Sequence, residues 1–191
     1  YKKIPQLVSH LHLPIQSGSD RVLSAMKRGY TVLEYKSVIR KLLEARPDIT
    51  FSSDFIVGFP GETEEDFLKT IDVIKDLKFD QSYSFIYSKR PGTPASMLKD
   101  DVSMEEKKER LNFLKNTINK LSKNKSKLIV GGKEEILVES ISSKYNNMVL
   151  GRTRNNKLIS VPGNKNLIGK IIDVKITELC NRSLKGEIIN I

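Results

Sequence analysis

The sequence has no tryptophan, one cysteine (Cys180) and two histidines in 191 residues. A single thiol excludes an internal disulfide framework, and it excludes any multi-thiolate metal site built from these residues alone. No apolar run approaches the roughly 18–20 residues of a membrane-spanning helix, and no secretory signal opens the chain. Tyr1 to Leu7 reads as a protein already in progress, without an initiator methionine. The expectation is a cytoplasmic protein with no membrane partner, and a monomer.

Positive charge is plentiful. Lys and Arg number 33 against 23 Asp and Glu, a net charge of +10. That balance favours a polyanionic partner, although a basic solubility surface would give the same count. The excess is uneven: residues 1–124 carry 21 basic and 17 acidic side chains, residues 125–191 carry 12 and 6. The second stretch is the expected polyanion binder.

Residues 1–125 alternate strand and helix patterns. An apolar run over 11–15 predicts a strand, and Gln16-Ser17-Gly18-Ser19 a turn whose last residue caps a helix over 20–27. Thr31-Val32-Leu33-Glu34 is a capping box opening a helix with Tyr35, Val38, Ile39, Leu42 and Leu43 on one side, ended by Pro47. A buried strand is predicted over 49–59, then a helix capped by Thr63 with Phe67, Ile71, Ile74 and Leu77 inward. An alternating strand follows over 81–87. These are parallel βα units. Three strands cannot close a barrel of eight, so the expectation is that its beginning is missing or supplied elsewhere. Ser103-Met104-Glu105-Glu106 is another capping box, starting a long helix through about residue 127.

The pattern then changes. Five short β runs at 136–141, 148–151, 158–161, 170–177 and 184–189, separated by Gly, Asn and Pro, predict a small closed barrel of the oligonucleotide-binding kind over 126–191.

Ligands of parallel βα folds sit at the carboxyl ends of the strands, which draws attention to Gln16, Ser17, Arg28 and Asp54. Gln16-Ser17-Gly18-Ser19 offers polar groups to a ligand, or is only a turn and a cap. Arg28 offers a bidentate fork to an anion, or merely favours a helix C-terminus. Asp54 lies in an apolar strand, where an unpaired carboxylate is expensive; it faces a ligand or a structural ion pair. Residues 57–63 resemble a phosphate loop only loosely, lacking a Gly-Lys-Ser/Thr ending. His10 and His12 alternate on one strand with no acidic or thiol neighbour, so no metal site is expected. Cys180 reads as a small apolar residue. In the β region, Arg152, Arg154 and Lys157 share one hairpin, and Arg182 and Lys185 another loop. They are either phosphate contacts or solvated turns.

Four segments together carry a resemblance: His12-Leu13-Pro14-Ile15-Gln16-Ser17-Gly18-Ser19, Met26-Lys27-Arg28, residues 53–63 (Ser53-Asp54 through Glu62-Thr63), and residues 87–95 with Arg90-Pro91-Gly92-Thr93-Pro94. They resemble the radical-SAM tRNA methylthiotransferases, in the branch that modifies isopentenylated adenosine. The ribosomal-protein branch usually differs at the Gln-Ser-Gly-Ser and Arg-Pro-Gly-Thr-Pro segments. Residues 126–191 are similar to the family's TRAM domain, including Gly151-Arg152-Thr153 and Ser183-Leu184-Lys185-Gly186.

The resemblance implies a partial radical-SAM barrel of TIM type followed by a TRAM β-barrel. It implies addition of a methylthio group to C2 of N6-isopentenyladenosine in tRNA, with S-adenosylmethionine and two 4Fe-4S clusters. By matching segments, S-adenosylmethionine contacts fall on Gln16, Arg28 and Asp54, with Ser17 of the same turn expected beside them; the tRNA contacts are expected at the hairpin and loop cations Arg152, Arg154, Lys157, Arg182 and Lys185. The cluster-binding Cys-x-x-x-Cys-x-x-Cys is absent, so the chain is expected to have no catalytic or metal residues of its own and to need the N-terminal half of the same enzyme. A non-catalytic RNA-binding fragment and a ribosomal-protein methylthiotransferase piece are the alternatives.

Overall fold

The computed structural model describes residues 1–143, 145–181 and 183–190. They form two compact units, Leu11–Ser122 and Tyr1–His10 with Lys123–Ile191.

The first unit holds a three-stranded sheet in the order β1-β2-β3, with β1 at His10–His12, β2 at Thr50–Val57 and β3 at Gln81–Ile86. β2 and β3 are parallel, with Asp54 opposite Tyr83 and Val57 opposite Ile86. β1 is shorter than the apolar run predicts. Pro14 has no N–H to give to a ladder, and parallel pairing resumes only at a bridge between Gln16 and Phe55.

Helix α1 (Asp20–Ala25) is capped by Ser19, which accepts from Val22 N. It stops before the predicted end because Lys27 turns into the left-handed region at φ 60°. Helices α2 (Val32–Ala45) and α3 (Glu64–Leu77) open on complete capping boxes at Thr31/Glu34 and Thr63/Asp66. α3 buries Phe67, Ile71 and Ile74 against the sheet residues' core, in which Phe55 and Phe79 meet edge to face at 5.4 Å. On α2 only Tyr35 and Ile39 of the predicted apolar side are buried.

The long helix α4 (Met104–Leu128) buries Leu114 and Ile118. Its predicted capping box forms from one side: Ser103 Oγ accepts from Glu106 N at 3.2 Å, while the Glu106 carboxylate accepts from Arg110.

The second unit is a closed barrel of β4 (Lys133–Ile141), β5 (Met148–Thr153), β6 (Leu158–Pro162), β7 (Ile171–Cys180) and β8 (Ser183–Asn190), in the order β4-β5-β6-β8-β7. All pairs are antiparallel except β6 with β8. Alternation along the strands turns Ile136, Val138, Val149, Ile159, Val174 and Ile176 into one interior. Gly151 and Gly186 stand where a Cβ would lie 2.6 Å and 2.7 Å from carbonyl oxygens of the neighbouring strands. Among the described residues no helix is long and apolar enough to cross a membrane.

A candidate ligand cavity at the strand ends

The turn after β1 is built from inside. Gln16 adopts φ 76°, a conformation uncommon outside glycine. Two backbone bonds hold it there: Gln16 N donates to Asp54 O and Ile56 N to Gln16 O, both at 2.9 Å. The approach to it is also fixed. Tyr35 donates to Leu13 O at 2.7 Å, and Tyr30 to Pro14 O and Ile15 O at 3.1 Å. Burial pushes both phenols above their ordinary range, so they remain donors.

The next three residues face the other way. Gly18 N donates to Thr70 Oγ1 at 2.8 Å, and Ser17 Oγ, buried, lies 3.4 Å from the same hydroxyl and accepts from Ser19 N. A Cβ on Gly18 would sit 2.5 Å from the backbone of Lys69 and Thr70. Ser19 both caps α1 and donates to Asp66 Oδ1 at 2.6 Å. Ser17 therefore packs the turn onto α3, and Gln16 alone of the four presents its side chain to open space.

That space is a cavity of about 600 Å³ in which Gln16, Arg28 and Asp54 meet. Ile56, Phe59 and Phe85 give it apolar walls, and Lys27, Tyr87 and Arg90 add polar ones. Among the described residues the Gln16 amide and the Arg28 guanidinium have no side-chain partner. Asp54 is not the isolated carboxylate its apolar strand suggests. Its side chain is 27% exposed, and Oδ1 lies 3.3 Å from His12 Nε2. The His12 ring is held in turn by a 2.9 Å hydrogen bond between Nδ1 and Ser52 Oγ and by the Tyr83 ring at 5.8 Å.

Sequence patterns do not single out His12 as a partner for Asp54. The parallel register that sets β1 beside β2 creates the pair. Tyr87, on the end of β3, packs edge to face on Phe59 at 5.2 Å, and its buried hydroxyl has no partner among the described residues.

The glycine-bearing turn over 58–63 supports Phe59 and does not cradle phosphate. Its amides are already used: Gly58 N donates to Glu62 Oε1 at 3.0 Å and Gly61 N to Asp101 Oδ1 at 2.8 Å. Beneath it Arg110, buried, donates to Glu62 Oε1 at 2.7 Å and to Glu106. Burial pushes the Glu62 carboxyl up, opposed by Gly58 N and Arg110. Asp66 goes the other way. Burial raises it, but donors on Arg21, Ser19 and Thr63 outweigh that and hold it well below the usual carboxylate range.

In the barrel the cations singled out by sequence have partners within the chain. Arg152 Nε donates to Glu139 at 3.2 Å and Nη1 to Asn156 Oδ1 at 3.0 Å. Arg154 donates to Pro5 O at 2.8 Å, beside Asn155, which donates to Ser9 O at 3.1 Å. Lys157 Nζ reaches Ser126 Oγ at 3.1 Å, and Lys185 pairs with Glu178 at 3.1 Å. Arg182 lies outside the described residues. Cys180 is half-buried. Among the described residues no three His, Cys, Asp or Glu side chains gather as a metal site. A lone thiol does not suit a thiolate-held cluster.

Residues 1–74 match the family model of the Radical SAM superfamily and residues 127–189 that of the TRAM domain. The chain is 57% identical over 189 residues to the tRNA-2-methylthio-N(6)-dimethylallyladenosine synthase of Francisella philomiragia and 56% identical to that of Francisella tularensis subsp. novicida. Each alignment covers 99% of this chain and 43% of the relative, so the chain spans less than half the length of the curated relatives it matches. Among solved structures, coproporphyrinogen III oxidase from Escherichia coli, titled a radical SAM enzyme, aligns with 96% of this chain and 46% of its own at 15% identity and a TM-score of 0.46.

Proposed function

We propose that this chain, which belongs to the radical-SAM tRNA methylthiotransferase family, is the part of such an enzyme that positions S-adenosylmethionine and tRNA. The reaction would add a methylthio group to C2 of an N6-isopentenylated adenosine in tRNA, in the cytoplasm. Residues 1–125 would serve the first task and residues 126–191 share in the second.

The observation that carries this reading is the convergence of Gln16, Arg28 and Asp54 on one cavity with apolar walls. S-adenosylmethionine has an α-ammonium, a carboxylate and a ribose diol. A carboxylate acceptor, a guanidinium donor and an amide that both donates and accepts match those groups one for one. Asp54 would accept from the ammonium or ribose hydroxyls, Arg28 would donate to the carboxylate, and Gln16 would fix the polar edge of the ligand. Bound there, S-adenosylmethionine would supply the methyl group. The iron–sulfur chemistry would belong to residues outside this chain.

Calorimetric titration of the whole chain with S-adenosylmethionine tests the reading. Saturable one-to-one binding is expected, weakened at least about tenfold in Asp54→Ala, the size of one charge-assisted hydrogen bond. Equal affinity in the variant would assign Asp54 to structure alone. No binding to the parent chain would remove the cavity from the cofactor reading.

A further inference from the structure

Cations of the cavity-bearing unit differ in whether a carboxylate holds them and in whether they line the cavity. Arg21, Lys36, Lys69, Lys107 and Arg110 each face a carboxylate. Lys27, Arg28 and Arg90 line the cavity, are exposed, and among the described residues make no side-chain hydrogen bond or ion pair. Their backbone is fixed even though their side chains are open. Lys27 sits at φ 60° in the tight end of α1. Arg90 begins a loop closed by Thr93 Oγ1 donating to Arg90 O at 2.8 Å and Ser96 Oγ to Thr93 O at 2.6 Å.

Against these three positive charges the cavity lining sets one carboxylate, Asp54, which already has His12 beside it. A zwitterionic ligand needs one cation and one acid. Arg28 and Asp54 meet that need and leave Lys27 and Arg90 in excess. The same lining includes Phe85, a ring 53% exposed on the solvent side of β3. A single exposed ring is ordinary at a protein surface, and this one matters for its place beside the open cations. An exposed ring beside open cations is the combination that holds single-stranded nucleic acid, cations on the backbone and ring faces under bases.

We propose that Lys27 and Arg90 form a phosphodiester clamp at the cavity, gripping the backbone of a single-stranded RNA segment while Phe85 stacks under one of its bases. The clamp rests on the RNA-modifying reading above and adds to it a substrate contact on the cavity-bearing unit, separate from the residues given to S-adenosylmethionine. Its logic is electrostatic. Each backbone phosphate neutralised on a single strand releases counterions, with a salt slope of about 0.7 per contact.

The test titrates the whole chain into a labelled RNA hairpin with a single-stranded loop, followed by anisotropy from about 0.05 to about 0.3 M salt. In the double variant Lys27→Gln/Arg90→Gln the affinity falls about tenfold and the log–log salt slope shrinks by about 1.4. Phe85→Leu weakens binding several-fold with the slope unchanged. Both variants keep the parent's circular dichroism and melting curve. A double variant that binds RNA like the parent, with the same slope, overturns the clamp and leaves the cofactor reading standing. A parent chain that binds no RNA overturns both the clamp and the tRNA-holding role. Inorganic phosphate should displace the RNA no better than chloride at equal ionic strength; displacement at micromolar phosphate would assign the pair to a free anion and overturn the clamp.

Discussion

The two units treat their polar groups differently. In the β-barrel, Arg152, Arg154, Lys157 and Lys185 are closed onto Glu139, Pro5, Ser126 and Glu178. Around the cavity, Gln16, Lys27, Arg28 and Arg90 are left open. The barrel has the larger excess of positive charge, yet each of these four cations would have to leave a partner within the chain to meet a phosphate, whereas the open ones would not. Count and position predict where a polyanion is attracted. Unspent hydrogen-bonding capacity predicts where it is held. If the proposed clamp holds, the barrel's charge would act as a field that gathers RNA, and the cavity rim would be the place that grips it.

The largest expected effect separates the units at their glycines. Gly18→Ala drives a Cβ to 2.5 Å from the backbone of α3, and Gly151→Ala drives one to 2.6 Å from Leu137 O. Neither obstacle is a movable side chain, so each should cost about 3–4 kcal/mol in urea unfolding. Only Gly18→Ala should also abolish S-adenosylmethionine binding in the protein that remains folded. If Gly151→Ala abolished it as well, the cavity would not be the property of one unit.

A middle-sized effect probes the charge network under the cavity. Asp66 has its folded pKa depressed, so its stabilisation is complete above the ordinary aspartate value of about 3.9 and is lost as pH falls through and below it. Asp66→Asn should therefore destabilise the chain by about 2 kcal/mol near neutral pH and flatten its loss of stability below about pH 4. Parallel acid curves for parent and variant would show that Asp66 titrates normally. The smallest effect is expected in the barrel. Arg152→Ala breaks an exposed pair with Glu139 and should change stability by less than about 0.5 kcal/mol. It should weaken RNA binding less than Lys27→Gln/Arg90→Gln does. The reverse ranking would return the grip to the barrel hairpin.

Much of the fold was legible because its signals are local. Thr31 with Glu34 and Thr63 with Asp66 satisfy amide donors within one helical turn, so their boxes form as read. Ser103 and Glu106 carry the same local signal, but Arg110, one turn further on, takes the Glu106 carboxylate. Burial of that arginine beside Glu62 outbids a solvent-exposed cap. The five β runs were legible from Gly, Asn and Pro breaks around alternating apolar residues. Their closure into β4-β5-β6-β8-β7 follows from a parallel pairing of β6 with β8 that no local pattern encodes.

The candidate site divides along the same line. Residue type and position at strand ends marked Gln16, Arg28 and Asp54, since a polar residue in an apolar strand or a tight turn carries its cost openly in the sequence. Whether Ser17 joined them was settled by Thr70, far along the chain, whose hydroxyl draws the turn onto α3. His12 became the neighbour of Asp54 only when β1 paired with β2.

By itself the sequence determined where helices start, where strands break, which residues are costly to bury and how much net charge the chain carries. These depend on groups a few residues apart. The tertiary structure alone decided which cations are spent and which remain open, because a partner such as Pro5 for Arg154 or Glu62 for Arg110 is brought near by packing and not by sequence distance.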